Sequence, residues 1–184
     1  MWNPDVLGIA FCEVGDSFKS IDDKDKQSFE STVRCGFSYS RIMSDPNILF
    51  APRSSCVIAL RGDVVICDHG MFENLTSGDP RRNAQWVDII CPDATAMRLV
   101  NSHQPSSELN PYPWKYRHDV CTGIFRRAEH GAAEHKSQTT TPVSVVIAGD
   151  LNTDKHQIAN YGKECGLDGK LWTCAANRRK AHNT

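Results

Sequence analysis

The sequence predicts an α+β domain, and three patterns carry that expectation. Val143 to Ala148 is an apolar, mostly β-branched run bounded by Pro142 and Gly149, the pattern of a buried strand. Two pairs of apolar runs flank the short turn sequences Arg61-Gly62-Asp63 and Pro92-Asp93-Ala94, the arrangement of antiparallel hairpins. Between residues 114 and 130 the period changes. Val120, Cys121, Ile124, Phe125 and Ala128 recur at helical spacing, with Arg117, Asp119, Arg126, Arg127 and Glu129 on the other face.

A length of 184 residues fits one domain with a substantial core, and 40% hydrophobic with 23% charged residues is ordinary for a globular protein. A formal net charge of −1 argues against a surface that clamps duplex nucleic acid over many phosphates. Arg81-Arg82, Arg126-Arg127 and Arg178-Arg179-Lys180 remain local phosphate-binding candidates, each more readily read as solvated charge. The eight cysteines include no Cys-x-x-Cys pair. Cys12, Cys56 and Cys67 lie in apolar runs and read as small core residues, not as a disulfide framework or zinc site. No apolar run approaches a membrane span and no secretory leader opens the chain, so the expected location is intracellular, cytoplasmic or nuclear.

Taken in order, residues 5–14 read as a strand (Val6, Leu7, Ile9, Ala10, Phe11, Cys12) that ends in the carboxylate of Glu13. Residues 16–31 are polar and suit a surface loop or a short exposed helix, and Thr32 to Arg41 is a strand candidate. Cys56–Leu60 and Val64–Cys67 form the first expected hairpin, and Phe72 to Ala84 a loop. Trp86–Cys91 and Ala96–Ser102 form the second, whose last strand runs into Asn101-Ser102-His103-Gln104. After the amphipathic helix, Gly131 to Thr141 reads as a polar linker into the Val143 strand. Lys155 to Cys165 is expected to be a short helix with Ile158, Ala159 and Cys165 inward, and Ala175 to Thr184 a polar, basic tail.

Three strands therefore end in polar groups: Glu13, then Asn101 and His103, then Asp150 and Asn152. Rigid strand ends are where reacting groups can be held in place. Phe11-Cys12-Glu13-Val14, Val100-Asn101-Ser102-His103 and Ile147-Ala148-Gly149-Asp150-Leu151-Asn152 resemble, in that order, the core motifs of the endonuclease/exonuclease/phosphatase superfamily. Deoxyribonuclease I, apurinic endonucleases, deadenylases, inositol-polyphosphate 5-phosphatases and neutral sphingomyelinases are among its members. The motifs lie within residues 5–155, and Gly149 to Asn152 is the most specific of them.

The resemblance implies a two-layer β-sandwich flanked by helices, the deoxyribonuclease I-like four-layer α/β/β/α fold. It also implies magnesium-dependent hydrolysis of a phosphoester by in-line attack of an activated water, with manganese as the other candidate ion. Nucleic acid and phosphoinositide are the substrate classes it suggests. Charge grows on the phosphoryl oxygens during such a reaction, and a hard cation on carboxylate ligands can carry much of it. Glu13 is then the metal ligand. Asp150 orients and deprotonates the water or lies close to the metal, Asn152 offers an amide donor, and protonated His103 stabilises the developing charge. Asn101 is expected to be a turn residue that supports His103.

The family also supplies an Asn from a strand ahead of the Glu motif and closes with a Ser-Asp-His element. Nothing ahead of Asn3 matches the first, and Lys180-Ala181-His182 carries no acid before its histidine. The expectation is a partial domain spanning residues 1–184, truncated at both ends and nearly inactive alone. The alternative function is a catalytically inactive relative that serves as a binding or interaction module. Substrate choice and endo- or exo-cleavage would lie in loops such as 16–31 and 72–84.

Overall fold

A computed structural model describes residues 6–12, 14, 22–38, 45–52, 54, 56–73, 75, 83–104, 114–138 and 142–167; Glu13 and residues 168–184, with His182, lie outside them. In chain order the elements are β1 (Gly8–Phe11), α1 (Asp23–Ser38), β2 (Asn47–Phe50), β3 (Val57–Leu60) and β4 (Val65–Phe72), then β5 (Ala84–Ile90), β6 (Ala96–His103), α2 (Trp114–Gln138), β7 (Val143–Asp150) and α3 (Lys155–Glu164). They build two sheets, ordered β1-β3-β2 and β4-β5-β6-β7. Every strand pairing is antiparallel except β6 with β7, whose parallel pairing needs the crossover that α2 provides.

The sheets pack face to face. Ile58 and Leu60 of β3 meet Val87 and Ile89 of β5 and Leu99 of β6 in one buried cluster. The other face of β3 is covered by α1, where Val33 packs on Ala59 with Phe11, Phe29 and Ile48 around them. Covered on both sides, β3 is buried along its whole length. On the outer face of the second sheet, α2 lays Val120, Cys121, Ile124, Phe125 and Ala128 against Phe72, Ala84 and Val100, and α3 adds Tyr161. Val120, Ile124 and Phe125 are almost wholly buried, and each contributes about 1.5–3 kcal/mol. The layers are α1, the β1–β3 sheet, the β4–β7 sheet, and α2 with α3, which is the expected α/β/β/α order. Among the described residues no helix is long and apolar enough to cross a membrane.

Several expected elements differ. Thr32 to Arg41 is not a strand; α1 runs from Asp23 to Ser38, and the polar residues from 23 to 28 form its first turns. Thr32 and Val33 favour strands intrinsically, but Phe29 and Val33 stand one turn apart and pack as a helical stripe. The Phe29 ring meets Phe11 edge-on at 4.9 Å. The Arg61-Gly62-Asp63 turn forms, with Val64 N–H on the Arg61 carbonyl at 3.0 Å, but it joins no hairpin. β3 pairs with β1 and β2 while β4 pairs with β5, so the turn carries the chain from one sheet to the other. β2 was not anticipated. The supposed linker after residue 130 is helix as far as Gln138. Ala132 and His135 are buried there, which explains why a polar-looking stretch stays helical. Cys67 is exposed, so it is no core residue. β7 is only half-buried, with Val146 exposed, because on one side it lacks a neighbouring strand among the described residues. In α3 the inward residues are Tyr161 and Gly162 in place of Ala159, which is exposed.

Candidate active site at the ends of β6 and β7

The parallel register places Asn101 beside Ala148, Ser102 beside Gly149, and His103 beside Asp150. The two groups singled out for proton chemistry thus occupy the last rung of one ladder, on strands about 4.8 Å apart. Both are partly exposed.

Beneath them Asn101 is completely buried. Its Nδ2 donates to the carbonyl of Phe11 at 2.9 Å and to that of Val57 at 3.2 Å. One side chain of the second sheet therefore satisfies carbonyls on two strands of the first. Asn101 is a strand residue that bolts the sandwich together, not the expected turn residue. Its Oδ1 accepts from the Cys12 thiol at 3.4 Å, and the same thiol lies 3.7 Å from the Ser102 carbonyl. The neighbouring Cys56 thiol and burial push the Cys12 thiol far above the usual range, against a smaller opposing pull from the Asp150 backbone. It stays a neutral S–H donor. Cys12 immediately precedes Glu13.

Gly149 sits at φ +111°, and a Cβ there would meet the Ser102 carbonyl oxygen at 2.1 Å. Only glycine lets β7 lie this close to β6 at the penultimate rung. The turn that follows is held by its own polar groups. Asp150 Oδ1 accepts the Asn152 N–H at 2.9 Å, and the Asp150 carbonyl accepts the Gln104 N–H at 2.8 Å. Asn152 adopts φ +47°, and its Nδ2 donates to the Gln104 carbonyl at 2.6 Å. Gln104, almost wholly buried, donates through Nε2 to Ser102 Oγ at 2.7 Å. Asn152 thus ties the β6 and β7 exits together, and one of its amide hydrogens is committed to that task. Asp154 then caps α3 by accepting from His156 N–H at 2.8 Å and Gln157 N–H at 3.0 Å.

Sequence reasoning missed Arg117 and Gln104. Arg117 Nη1 on α2 donates to the Asn152 carbonyl at 3.3 Å, holding the turn from the helix side. Helical periodicity had put Arg117 on the polar face, and no local pattern could pair it with a residue 35 positions on.

Among the described residues no cluster of three or more His, Cys, Asp or Glu is placed to hold a metal ion. The donors at this end of the sandwich are nonetheless of the right kind. Asp150 offers a carboxylate and Asn152 an amide oxygen, the hard oxygen ligands that magnesium and manganese prefer. Glu13, the expected metal ligand, lies outside the described residues.

Two facing sheets with a helical layer outside each give the layer order of the deoxyribonuclease I-like α/β/β/α fold. Similar solved structures include a humanized TDP2 of D. rerio, with a TM-score of 0.53 at 14% identity over 78% of this chain and 54% of that one. Beta toxin of Staphylococcus aureus gives 0.55 at 14% identity, over 88% and 59%. ANGEL2, a 2',3'-cyclic phosphatase, gives 0.53 at 11% identity, over 86% and 42%. At such identities the likeness is one of fold, and the chain spans about half the length of these structures. No protein-family model and no curated protein matches the sequence.

Proposed function

We propose that the protein hydrolyses a phosphoester, and that the ends of β6 and β7 carry the reaction. The observation that supports this most is the side-by-side placement of His103 and Asp150 on the last rung of one parallel ladder. In the proposed reaction the oxygen of a water attacks phosphorus in line, the ester P–O bond breaks opposite to it, and the departing oxygen takes up a proton from solvent, to which Asp150 returns the one it accepts. Asp150 is the acceptor for the water's proton. The Asn152 N–H on Oδ1 orients the carboxylate. His103, as imidazolium, donates to the phosphoryl oxygens as charge builds on them. Asn101 acts through His103 as a positioning residue, because it fixes the β6 end to both β1 and β3. A bound magnesium or manganese ion would add Lewis-acid stabilisation of phosphoryl charge, and Glu13 with Asp150 are the carboxylates that would hold it.

A panel of phosphodiesters and phosphomonoesters, assayed with and without magnesium on the full-length product, tests the proposal. The expected result is magnesium-dependent hydrolysis that falls about 10²–10⁴-fold in Asp150→Ala while the variant still folds cooperatively. Hydrolysis indifferent to both chelation and Asp150→Ala would sink it. Tight binding of an ester without turnover would favour the binding-module alternative.

A further inference from the structure

In the turn that follows Asp150, Asn152 holds a left-handed backbone that L side chains rarely adopt, φ +47°. Such a residue persists only where its surroundings over-determine it. Each polar part of Asn152 is tied. Its N–H donates to Asp150 Oδ1 at 2.9 Å, its Nδ2 donates to the Gln104 carbonyl at 2.6 Å, and its carbonyl accepts from Arg117 Nη1 at 3.3 Å. The first two bonds stay within the exits of β6 and β7. Only the third comes from a cation and from another layer of the fold. Arg117 is the fourth residue of α2, and a cation in a first turn opposes the helix dipole. Its side chain is partly buried, and no carboxylate pairs with it among the described residues. Its Nε is buried there without a hydrogen-bond partner. Cys121, one turn further along α2, and Tyr161 of α3 feel the charge, but burial is the largest influence on each and keeps both neutral. A guanidinium that is partly desolvated and so sparsely answered costs stability at this position.

We propose that Arg117 is a positioning residue of the candidate active site, acting through the Asn152 carbonyl to hold the Asn152 N–H on the Asp150 carboxylate. The expected effect on rate rests on the phosphoester reading, whereas the contact itself does not. Only the φ and ψ of Asn152 separate the peptide plane that carries its N–H from the plane that carries its carbonyl. A bond that pins the second plane limits how far the first can turn away from Asp150. The helix is a firm anchor for that bond, because Val120, Ile124 and Phe125 bury it against the second sheet. Without the bond, Asn152 is free to relax toward the right-handed backbone that L residues prefer. Its N–H then leaves Oδ1, and the carboxylate loses the donor that orients it toward the attacking water. Lysine carries donors that can meet a single carbonyl oxygen, whereas methionine fills similar space with none.

Arg117→Met and Arg117→Lys in the full-length product provide the test, read by kcat and KM, by melting temperature and by backbone amide NMR. In Arg117→Met kcat should fall about 10²-fold with KM unchanged and a melting temperature no lower than that of the wild type. Arg117→Lys should recover much of the lost rate. The Asn152 amide proton, drawn downfield in the wild type by its carboxylate acceptor, should move upfield in Arg117→Met and return in Arg117→Lys. If the wild type hydrolyses no ester, the phosphoester reading fails and the Asn152 amide signal alone decides on Arg117. An Asn152 amide unmoved in Arg117→Met overturns the proposal, as does an unchanged kcat in an active enzyme. A rise in KM in place of the fall in kcat would make Arg117 a substrate contact and overturn it. Failure of Arg117→Met to fold, a melting temperature that drops with the activity, or a loss as deep in Arg117→Lys would do the same.

Discussion

The two halves of strand β6 satisfy their polar side chains in opposite ways. At the C-terminal end the Asn101 amide donates to two backbone carbonyls of the other sheet, those of Phe11 and Val57. Near its start Arg98 is answered by one side chain, Asp88. Backbone anchoring holds the end of β6, where His103 stands beside Asp150, against the first sheet. A side-chain pair neutralises itself and becomes a wall.

The largest expected effect comes from breaking the wall. Asp88→Ala leaves a buried guanidinium unpaired and should cost about 3–5 kcal/mol in urea denaturation. The matched pair of changes Asp88→Leu with Arg98→Met should recover most of that. Asn101→Ala removes the two buried hydrogen bonds to the Phe11 and Val57 carbonyls and should cost less, about 1–3 kcal/mol. A larger loss in Asn101→Ala than in Asp88→Ala would reverse the comparison.

Gly149→Ala is expected to cost roughly 1–3 kcal/mol through its left-handed backbone alone, and more from contact with the Ser102 carbonyl. Its NMR shift changes should spread from Ser102 to Asn152 and leave Asp88 and Arg98 in place. Shift changes confined to residue 149 would show that β7 can retreat from β6 without disturbing the site.

A smaller effect is set by pH. His118 on α2 faces Glu164 of α3 at 2.5 Å and Asp119 at 3.0 Å, and these two bonds, Glu164 first, hold its pKa above the ordinary imidazole value. A group raised in the folded state contributes stability that is fully present below its unfolded pKa, about 6.5, and lost as pH rises through the folded value. Corrected for the intrinsic pH dependence of exchange, hydrogen-exchange protection of α3 should therefore fall across that window, by a modest amount because the partners are exposed. His118→Gln should flatten the profile. A profile unchanged by that substitution would assign the pH dependence elsewhere.

Most of what lies beside the site was legible in sequence, for physical reasons that name their own limits. Val143 to Asp150, the β5–β6 hairpin and the start of α2 follow from local periodicity, and the structure has them. The first hairpin misled because an Arg-Gly-Asp turn has the same local chemistry whether its flanking strands pair or part to different sheets. α1 was misread because Thr32 and Val33 favour strands, and only the packing of Phe29 and Val33 on Phe11 and Ala59 decides for a helix. His103, Asp150 and Asn152 are legible as polar groups at strand ends that also match a motif set, and the structure brings all three to one end of the sandwich. The role of Asn101 was hidden because its carbonyl partners lie 90 and 44 positions away. That of Arg117 was hidden for the same reason.

Whether the β6 and β7 ends form a metal-assisted phosphoester site is measured most directly by titrating manganese into the isotopically labelled protein and following paramagnetic broadening of the backbone amides. The expected result is loss of the His103, Asp150 and Asn152 signals, reversed by excess magnesium and absent in Asp150→Ala, while Asp88 and Arg98 stay sharp. Broadening centred on Asp88 and Arg98, or no broadening at His103 and Asp150 at millimolar manganese, would contradict it.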